Sequence, residues 1–128
     1  MKVLTPRPFG WWWAKYLRIA LHPDDCSFGE MEELFFDPCR GFMCWTITRG
    51  MRGLYVTKVC GDGRYWRRRA YEMFAWAKER YGVKYLICCT RRNPDAFCRM
   101  FGGELWKTTD EDTERPLYWF RTKNTEVM

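Results

Sequence analysis

The fold is decided by one stretch of the sequence, residues 53–106: GLYVTKVCGDGRYWRRRAYEMFAWAKERYGVKYLICCTRRNPDAFCRMFGGELW. Its residue pattern predicts a strand over 54–60 and then a helix over 64–81. The next predicted strand, 84–90, is apolar at consecutive positions, which is typical of a strand covered on both faces in a parallel sheet. Two such strands joined by a helix form a right-handed βαβ unit.

The flanking residues predict the elements that pack on this unit. Before it come a strand over 2–5, a helix over 9–21, a short helix over 27–36, and a strand over 41–49 that forms a hairpin with 54–60. After it come a short helix that begins at Asn93 and Pro94 and ends at Gly102 or Gly103, a strand over 104–109 and a strand over 117–122. The predicted fold class is α/β (α+β), a mixed central sheet with flanking helices and a C-terminal antiparallel hairpin.

We predict one domain over residues 1–128, in which 1–40 supply the N-terminal strand and helices and 41–122 form the core. The predicted core residues are Tyr85, Ile87, Phe74, Met73, Phe97 and Phe101. Helix 64–81 should face the sheet through a stripe of Trp66, Ala70, Met73, Phe74, Ala77 and Tyr81. Helix 9–21 should face it through Trp12, Trp13, Tyr16, Leu17 and Ala20.

The composition is that of a globular protein with an unusual number of aromatic residues. With 19% Phe, Trp and Tyr, the chain has more aromatic side chains than a small core absorbs, so some should lie on the surface or in an interface. The net charge of +6 suits an anionic partner, although an ordinary basic protein also reaches it. Three consecutive Trp at 11–13 could suggest an interfacial membrane anchor, but a helix docked on a sheet is the commoner explanation.

The cysteine pattern indicates reduced thiols. The chain has seven cysteines without a Cys-x-x-Cys pair, and His22 is its only histidine. The usual zinc patterns are therefore absent, and no metal site is predicted. The sequence shows neither a signal-peptide pattern nor an apolar run of about 18 residues that could span a membrane. We therefore expect a cytoplasmic protein with no membrane span.

Arginines gather at the start of the longer helix. Four of them stand in or next to its first turn: Arg64, Arg67, Arg68 and Arg69. Each cation near this positive helix end costs roughly 0.3–1 kcal/mol, which indicates an anion that needs the charges. An ion pair between Arg68 and Glu72 is the simpler explanation. Arg91 and Arg92 follow the second strand, and ligands of α/β sheets bind beyond the strand ends. We therefore predict that five arginines converge on an anion site: Arg64, Arg67, Arg68, Arg91 and Arg92.

The order of these elements resembles the GNAT (N-acetyltransferase) fold over about residues 41–122. The ending Arg92-Asn93-Pro-Asp-Ala-Phe-Cys-Arg-Met-Phe-Gly-Gly103 is similar to the Asn-x-x-Ala…Gly-Phe segment of that family. In the family, a central strand leads into a loop and a helix that cradle the pyrophosphate of acyl-CoA. The resemblance implies acetyl-CoA or CoA as a cofactor, without a metal. The binding residues that it implies are Cys60, Gly61, Gly63, Arg64, Arg67, Arg68, Arg92 and Asn93.

The acyl-CoA loop of this chain departs from the family pattern. The family's form, Gln/Arg-x-x-Gly-x-Gly/Ala, lets backbone N–H groups approach phosphate because its residues are small. Here the loop falls on residues 62–67, where Gly63 is present and Tyr65 and Arg67 occupy slots that usually hold glycine. The loop is therefore eroded.

The catalytic positions depart from the family pattern as well. The family's general acid is commonly a Tyr in the second helix, where this chain has Arg99 or Met100. The strand before the loop, 54–60, has no Glu to act as a base. Tyr118 is the remaining catalytic candidate. We therefore predict an acetyltransferase-like protein that acts by binding.

A closer resemblance is to the GNAT-like internal virion proteins of short-tailed bacteriophages, which share the eroded loop and a Trp-Arg start to the helix. It implies a virion or host-takeover component in the host cytoplasm or virion, with a protein partner in a phage assembly. One alternative is an active acetyl-CoA-dependent N-acyltransferase. Another is a basic nucleic-acid-binding module that uses the stretch 64–69, with Tyr65 and Trp66 for stacking. The missing acid and base favour binding over catalysis, and the compact βαβ geometry makes nucleic acid the less favoured ligand.

Overall fold

The computed structural model describes residues 4–20, 29, 31–111 and 114–125. These ranges contain three helices and six strands, in the order α1 Phe9–Ile19, β1 Glu33–Asp37, β2 Gly41–Thr48, β3 Gly53–Gly61, α2 Gly63–Tyr81, β4 Tyr85–Thr90, α3 Pro94–Phe101, β5 Glu104–Thr109 and β6 Leu117–Thr122. The predicted α/β class with a mixed central sheet is confirmed.

The six strands form one sheet in the order β1-β2-β3-β4-β6-β5. Within the described ranges, β3 and β4 are the only parallel neighbours, and α2 joins them as the predicted βαβ unit. The predicted hairpins β2–β3 and β5–β6 are present. The last strand, β6, pairs with both β4 and β5, which leaves β5 at the edge of the sheet.

Helix α2 begins and ends where its sequence predicts. The Asp62 side chain accepts a hydrogen bond from the backbone N–H of Tyr65, and Gly82 ends the helix in the left-handed region at φ 67°. The buried face is formed by Trp66, Ala70, Tyr71, Phe74 and Ala77. Tyr81, predicted for the same stripe, is instead 57% exposed and packs edge-on against the exposed Trp76.

Two apolar clusters lie on opposite faces of the sheet. The larger one includes Met43, packs α2 and α3 against the strands and is centred on Phe74, Leu86 and Phe120. The smaller one packs α1 against β2 and β3 and consists of Trp12, Tyr16, Phe42, Cys44 and Cys60. Because Phe42, Met43 and Cys44 are consecutive on one strand, their division between the clusters places α1 and α2 on opposite faces.

The predicted core residues are buried to different degrees. Phe74 and Ile87 are fully buried, and Phe101 is 6% exposed, whereas Met73, Phe97 and Tyr85 are half-buried. In α1, the buried residues are Trp12 and Tyr16. Leu17 was predicted for the same face but is 44% exposed, because one further residue turns it by about 100° around the helix.

The N-terminal region differs from the sequence-based prediction. Residues 33–36 do not continue a helix but belong to strand β1, which pairs with β2. Their run of Leu and two Phe suits a half-buried strand, so pairing with β2 overrides the helical pattern. Leu4 and Thr5 form no strand, and α1 ends at Ile19 rather than at residue 21. The other predicted residues, 2–3 and 27, 28 and 30, lie outside the described ranges.

Candidate functional site

A cleft opens where the two parallel strands separate. Strands β3 and β4 pair at only three positions, the last being Tyr55 with Ile87. Both strands continue beyond this pair, to Gly61 and Thr90 respectively. The space beside their diverging ends is a cleft of about 420 Å³, which the end of α1 and part of α3 also line. The carboxyl ends of parallel strands are where ligands of α/β sheets bind.

A β-bulge in β3 shapes one wall of the cleft. Cys44 pairs with Lys58 and Trp45 pairs with Val56, so Thr57 is an additional residue without a partner across the pair. A bulge of this kind bends the strand and changes which side chains share a face. In a regular strand, Lys58 would share the face of Val56, which stands two residues earlier. Because of the bulge, Val56 packs in the cluster under α2, whereas Lys58 pairs with Cys44 of the α1 cluster.

The bulge places two polar groups in the cleft wall. The Thr57 hydroxyl oxygen is buried and has no hydrogen-bond partner among the described residues. The Lys58 side chain, which is 4% exposed, donates hydrogen bonds to both carboxylate oxygens of Glu32 at 2.8 and 2.9 Å. The ion pair fixes the end of Lys58, whereas the Thr57 hydroxyl remains a buried group that a ligand could satisfy.

The N-terminus of α2 forms one end of the cleft, and Gly61 and Gly63 both line it. The Asp62 carboxylate binds the Tyr65 N–H and receives the Arg40 guanidinium at 3.0 Å. The Asp62 carbonyl accepts a hydrogen bond from the Trp66 N–H. In this first turn the N–H groups of Gly63 and Arg64 have no acceptor within the described part of the chain. Unpaired N–H groups at a helix N-terminus can bind an anion.

Gly61 also has a structural reason to be glycine. Its φ is +114°, and a Cβ on it would lie 2.0 Å from the carbonyl oxygen of Arg40. At Gly63, in contrast, a Cβ would meet no heavy atom within 4 Å, so this position is open. Cys60 lines the cleft and belongs to the α1 cluster, where its thiol donates to the Trp12 carbonyl at 3.6 Å.

The arginines converge less than the sequence predicts. Arg91 and Arg92 line the cleft, whereas Arg64 and Arg68 lie exposed on α2 and Arg67 is half-buried with its guanidinium 5.9 Å from the Tyr71 ring. None of these three α2 side chains is among the lining residues within the described ranges. The expected five-arginine cluster therefore reduces to a pair, because α2 turns its arginines away from the strand ends.

The two arginines of the cleft already have protein partners. Arg91 donates to the Asp110 carboxylate at 3.1 Å and to the Arg115 carbonyl at 2.8 Å. The Arg92 guanidinium donates to the Ile19 carbonyl at 2.7 Å and so ties the end of α1 to the loop after β4. Arg92 is exposed, which leaves room for further contacts with a ligand.

The last two sequence-predicted residues have structural roles. The Asn93 side chain accepts hydrogen bonds from the N–H groups of Asp95 and Ala96 and thereby caps α3. Tyr118 is half-buried, packs against the core under α2 and pairs with Thr90 across β4 and β6. It is not one of the described residues that line the cleft.

Burial favours the protonated form of two thiols that line the cleft, Cys60 and Cys88. Burial raises the pKa of Cys60, an effect that the Lys15 charge opposes, and burial raises the pKa of Cys88 well above its usual range. Burial also raises the pKa of Cys44, behind the Lys58 pair, to about 12. The thiolate is the nucleophilic form of cysteine, so these thiols are inert near neutral pH. Cys39, Cys44, Cys60, Cys88, Cys89 and Cys98 are free thiols, and Cys26 lies outside the described ranges.

The sequence held a signal for one of the missed residues. Lys58 stands in an otherwise apolar run, and a lysine buried there must have a partner. The sequence contains no such signal for Thr57, because the burial of its unsatisfied hydroxyl depends on the register between β2 and β3.

None of the described helices is long and apolar enough to cross a membrane. Across the described residues, no group of three or more His, Cys, Asp or Glu side chains could hold a metal ion. No family model, no curated protein and no solved structure matches this chain.

Proposed function

We propose that this chain binds a phosphorylated ligand of the CoA type in the cleft between β3 and β4, and that it acts by binding rather than by acyl transfer. The observation that carries the proposal is the separation of the two parallel strands after three paired residues, which opens the cleft onto the N-terminus of α2. The GNAT-like order of elements supports CoA as the ligand.

The polar groups of the cleft suit such a ligand. The Gly63 and Arg64 N–H groups, with the positive end of the α2 dipole, would hold a pyrophosphate. The charged side chains among the described lining residues are all cationic: Lys58, Arg91 and Arg92. The Thr57 hydroxyl would bind an amide or hydroxyl group of the arm that enters between the strands.

The absence of catalysis is proposed from the side chains at hand. Among the described lining residues there is no Asp, Glu or His that could move a proton. Cys60 and Cys88, two of the three cysteines that line the cleft, have raised pKa values, and Tyr118 lies against the core. We propose that the bound ligand serves a recognition or structural role, and the resemblance to internal virion proteins makes a phage component the favoured context, with a protein partner in the assembly.

The experiment is calorimetry with CoA on the unmodified chain, on Gly63→Glu and on Gly10→Glu. Both glycines lie in the first turn of a helix, and a Cβ at either one meets no heavy atom within 4 Å. A carboxylate there suits the helix dipole, so both variants should fold. Only Gly63→Glu places a negative charge at the pyrophosphate position. We expect it to weaken CoA binding at least about tenfold, or about 1.4 kcal/mol, while Gly10→Glu binds like the unmodified chain.

Equal CoA affinity in all three proteins, or no heat of binding in the unmodified chain, would refute the site. An acetyl-CoA turnover assay with peptides and small amines tests the second half of the proposal. Efficient release of free CoA, dependent on acceptor, would show that the chain is an active N-acyltransferase.

A further inference from the structure

A row of alternating aromatic rings and cations runs across β4, β6 and β5, on the face of the sheet opposite α2. The Lys107 ammonium lies 5.1 Å from the Trp119 ring and 4.4 Å from the Trp106 ring. The Arg121 guanidinium lies 4.7 Å from the Trp106 ring and 4.5 Å from that of Tyr85, and Lys123 lies 5.5 Å from Tyr85. We call these six residues the cation row.

The strand alternation places the cation row on the face opposite α2. Phe120 belongs to the core under α2, so its neighbours Trp119 and Arg121 point the other way. The same argument with Leu86 assigns Tyr85 to this opposite face. Helix α1 lies on this face as well, but its extensive contacts with the sheet are with β2 and β3. Within the described residues, the part of the face over β6 and β5 is therefore not covered by a helix with extensive contacts.

Among the described residues, the three cations of the row have no acidic partner. Within the described part of the chain, no carboxylate forms an ion pair with Lys107, Arg121 or Lys123. The only carboxylate in the two strands is Glu104, which is the Cα partner of Arg121 and is exposed. The row therefore presents three positive charges in a line against one negative charge at its side.

The rings fix the cations in position. A lysine or arginine side chain is flexible, and ordering it on binding lowers the affinity. Here each cation is already held against at least one ring, and Lys107 and Arg121 each lie against two. The arrangement also has a simpler use, since long basic side chains shield aromatic rings from water. That use needs no ligand and predicts no ligand binding, which makes the two explanations separable.

We propose that the cation row binds the phosphate backbone of a single-stranded nucleic acid. Arg121 is on β6 and Lys123 follows directly after its end, so in extended backbone their positions differ by about 6–7 Å. Lys107 is paired with Trp119, two residues to the other side of Arg121. A narrow line of three charges matches one row of phosphates, which a single strand presents. The net charge of +6 favours the encounter.

The geometry of the cation row also defines how it would recognise the nucleic acid. Two cations lie against the Trp106 ring, and two lie against the Tyr85 ring, so these rings are less open to base stacking. Recognition is therefore through phosphates and independent of base sequence. This surface differs from the arginines at the start of α2, and its use does not depend on the cleft or on CoA.

The test is fluorescence anisotropy of a short labelled single-stranded oligonucleotide with the whole chain at several salt concentrations. Three neutralised phosphates give a slope of log affinity against log salt of about −2, or a fall of roughly twentyfold between about 50 and 200 mM salt. A variant carrying Lys107→Gln, Arg121→Gln and Lys123→Gln should bind at least about tenfold more weakly at low salt, with a slope near zero. Glu104→Gln should tighten binding, because it removes the carboxylate beside the row.

The matched control carries Arg64→Gln, Arg68→Gln and Arg69→Gln, which remove the same charge from the surface of α2. It should bind like the unmodified chain. Circular dichroism and thermal melting show that each variant is folded, and Glu104→Gln provides a gain that unfolding cannot produce. The proposal is overturned if the α2 control loses as much affinity as the row variant, if the salt slope is flat, or if the chain binds duplex or a sulfated glycan but no single strand.

Discussion

Replacing Thr57 by valine should change stability and ligand affinity in opposite directions. The Thr57 hydroxyl oxygen is buried in the cleft wall without a hydrogen-bond partner among the described residues. A buried, unsatisfied polar group costs about 1–3 kcal/mol of folding free energy. Valine has the same branched shape without that oxygen. We therefore expect Thr57→Val to raise the free energy of unfolding of the free protein by about 1–3 kcal/mol, measured by urea denaturation followed through Trp fluorescence.

The same change removes a hydrogen bond that the ligand would make. A net hydrogen bond contributes about 0.5–1.5 kcal/mol, so CoA should bind Thr57→Val roughly 2- to 12-fold more weakly in calorimetry. Thr46→Val, on the neighbouring strand β2, serves as the control because it makes the same chemical change outside the cleft. A Thr57→Val protein that is less stable than the original, or that binds CoA unchanged, would refute the assignment of this hydroxyl to the ligand.

Three further changes test the packing. Lys58→Met should cost about 3–5 kcal/mol of stability in urea, because it leaves the Glu32 carboxylate buried without its cation, and adding Glu32→Gln should restore most of that loss. Phe74→Ala should cost about 3–5 kcal/mol because the ring is fully buried, and a loss below about 1 kcal/mol would contradict its place in the core. Stability should also fall above pH 9: burial raises the pKa of Cys44 from 9.0 to about 12 and that of Tyr71 from 10.0 to about 12, so both groups ionise in the unfolded chain first. Thermal melts between about pH 8 and 11 that stay level would contradict this.

The sequence alone predicts the helices whose ends are marked by neighbouring residues. Asp62 and Gly82 bound α2, and Asn93 with Gly102 bounds α3, because capping depends on residues within one helical turn. The βαβ unit followed from the apolar run of residues 85–89, which is typical of a strand covered on both faces. Such signals also predicted the hairpins.

The features that shape the site depend on contacts between distant parts of the chain. The bulge at Thr57 arises from the register between β2 and β3, which no local pattern encodes. The predicted helix over 27–36 has a helix-like mixture of carboxylates and apolar side chains, yet its residues 33–36 extend the edge of the sheet through pairing with β2. The ion pair of Lys58 with Glu32 joins residues 26 positions apart.

For the arginines, the helix was predicted correctly but the anion site on it was not. Helix α2 lies where the sequence predicts it, but its rotation about its own axis is set by the buried Trp66 and Phe74. That rotation points Arg64 and Arg68 into solvent. The cation row was missed for a related reason, since β6 inserts between β4 and β5 and only then brings Arg121 between Tyr85 and Trp106.

The most direct test of the cleft is an NMR titration of the ¹⁵N-labelled chain with CoA. Backbone amide signals report each N–H group separately, including the two at the start of α2 that have no acceptor among the residues the structure describes. We predict that the Gly63 and Arg64 amide signals move most, together with those of the bulge around Thr57, while signals of β5 stay in place. Saturating CoA that leaves the Gly63 and Arg64 signals unchanged, or that shifts only residues of the cation row, would contradict the proposed site.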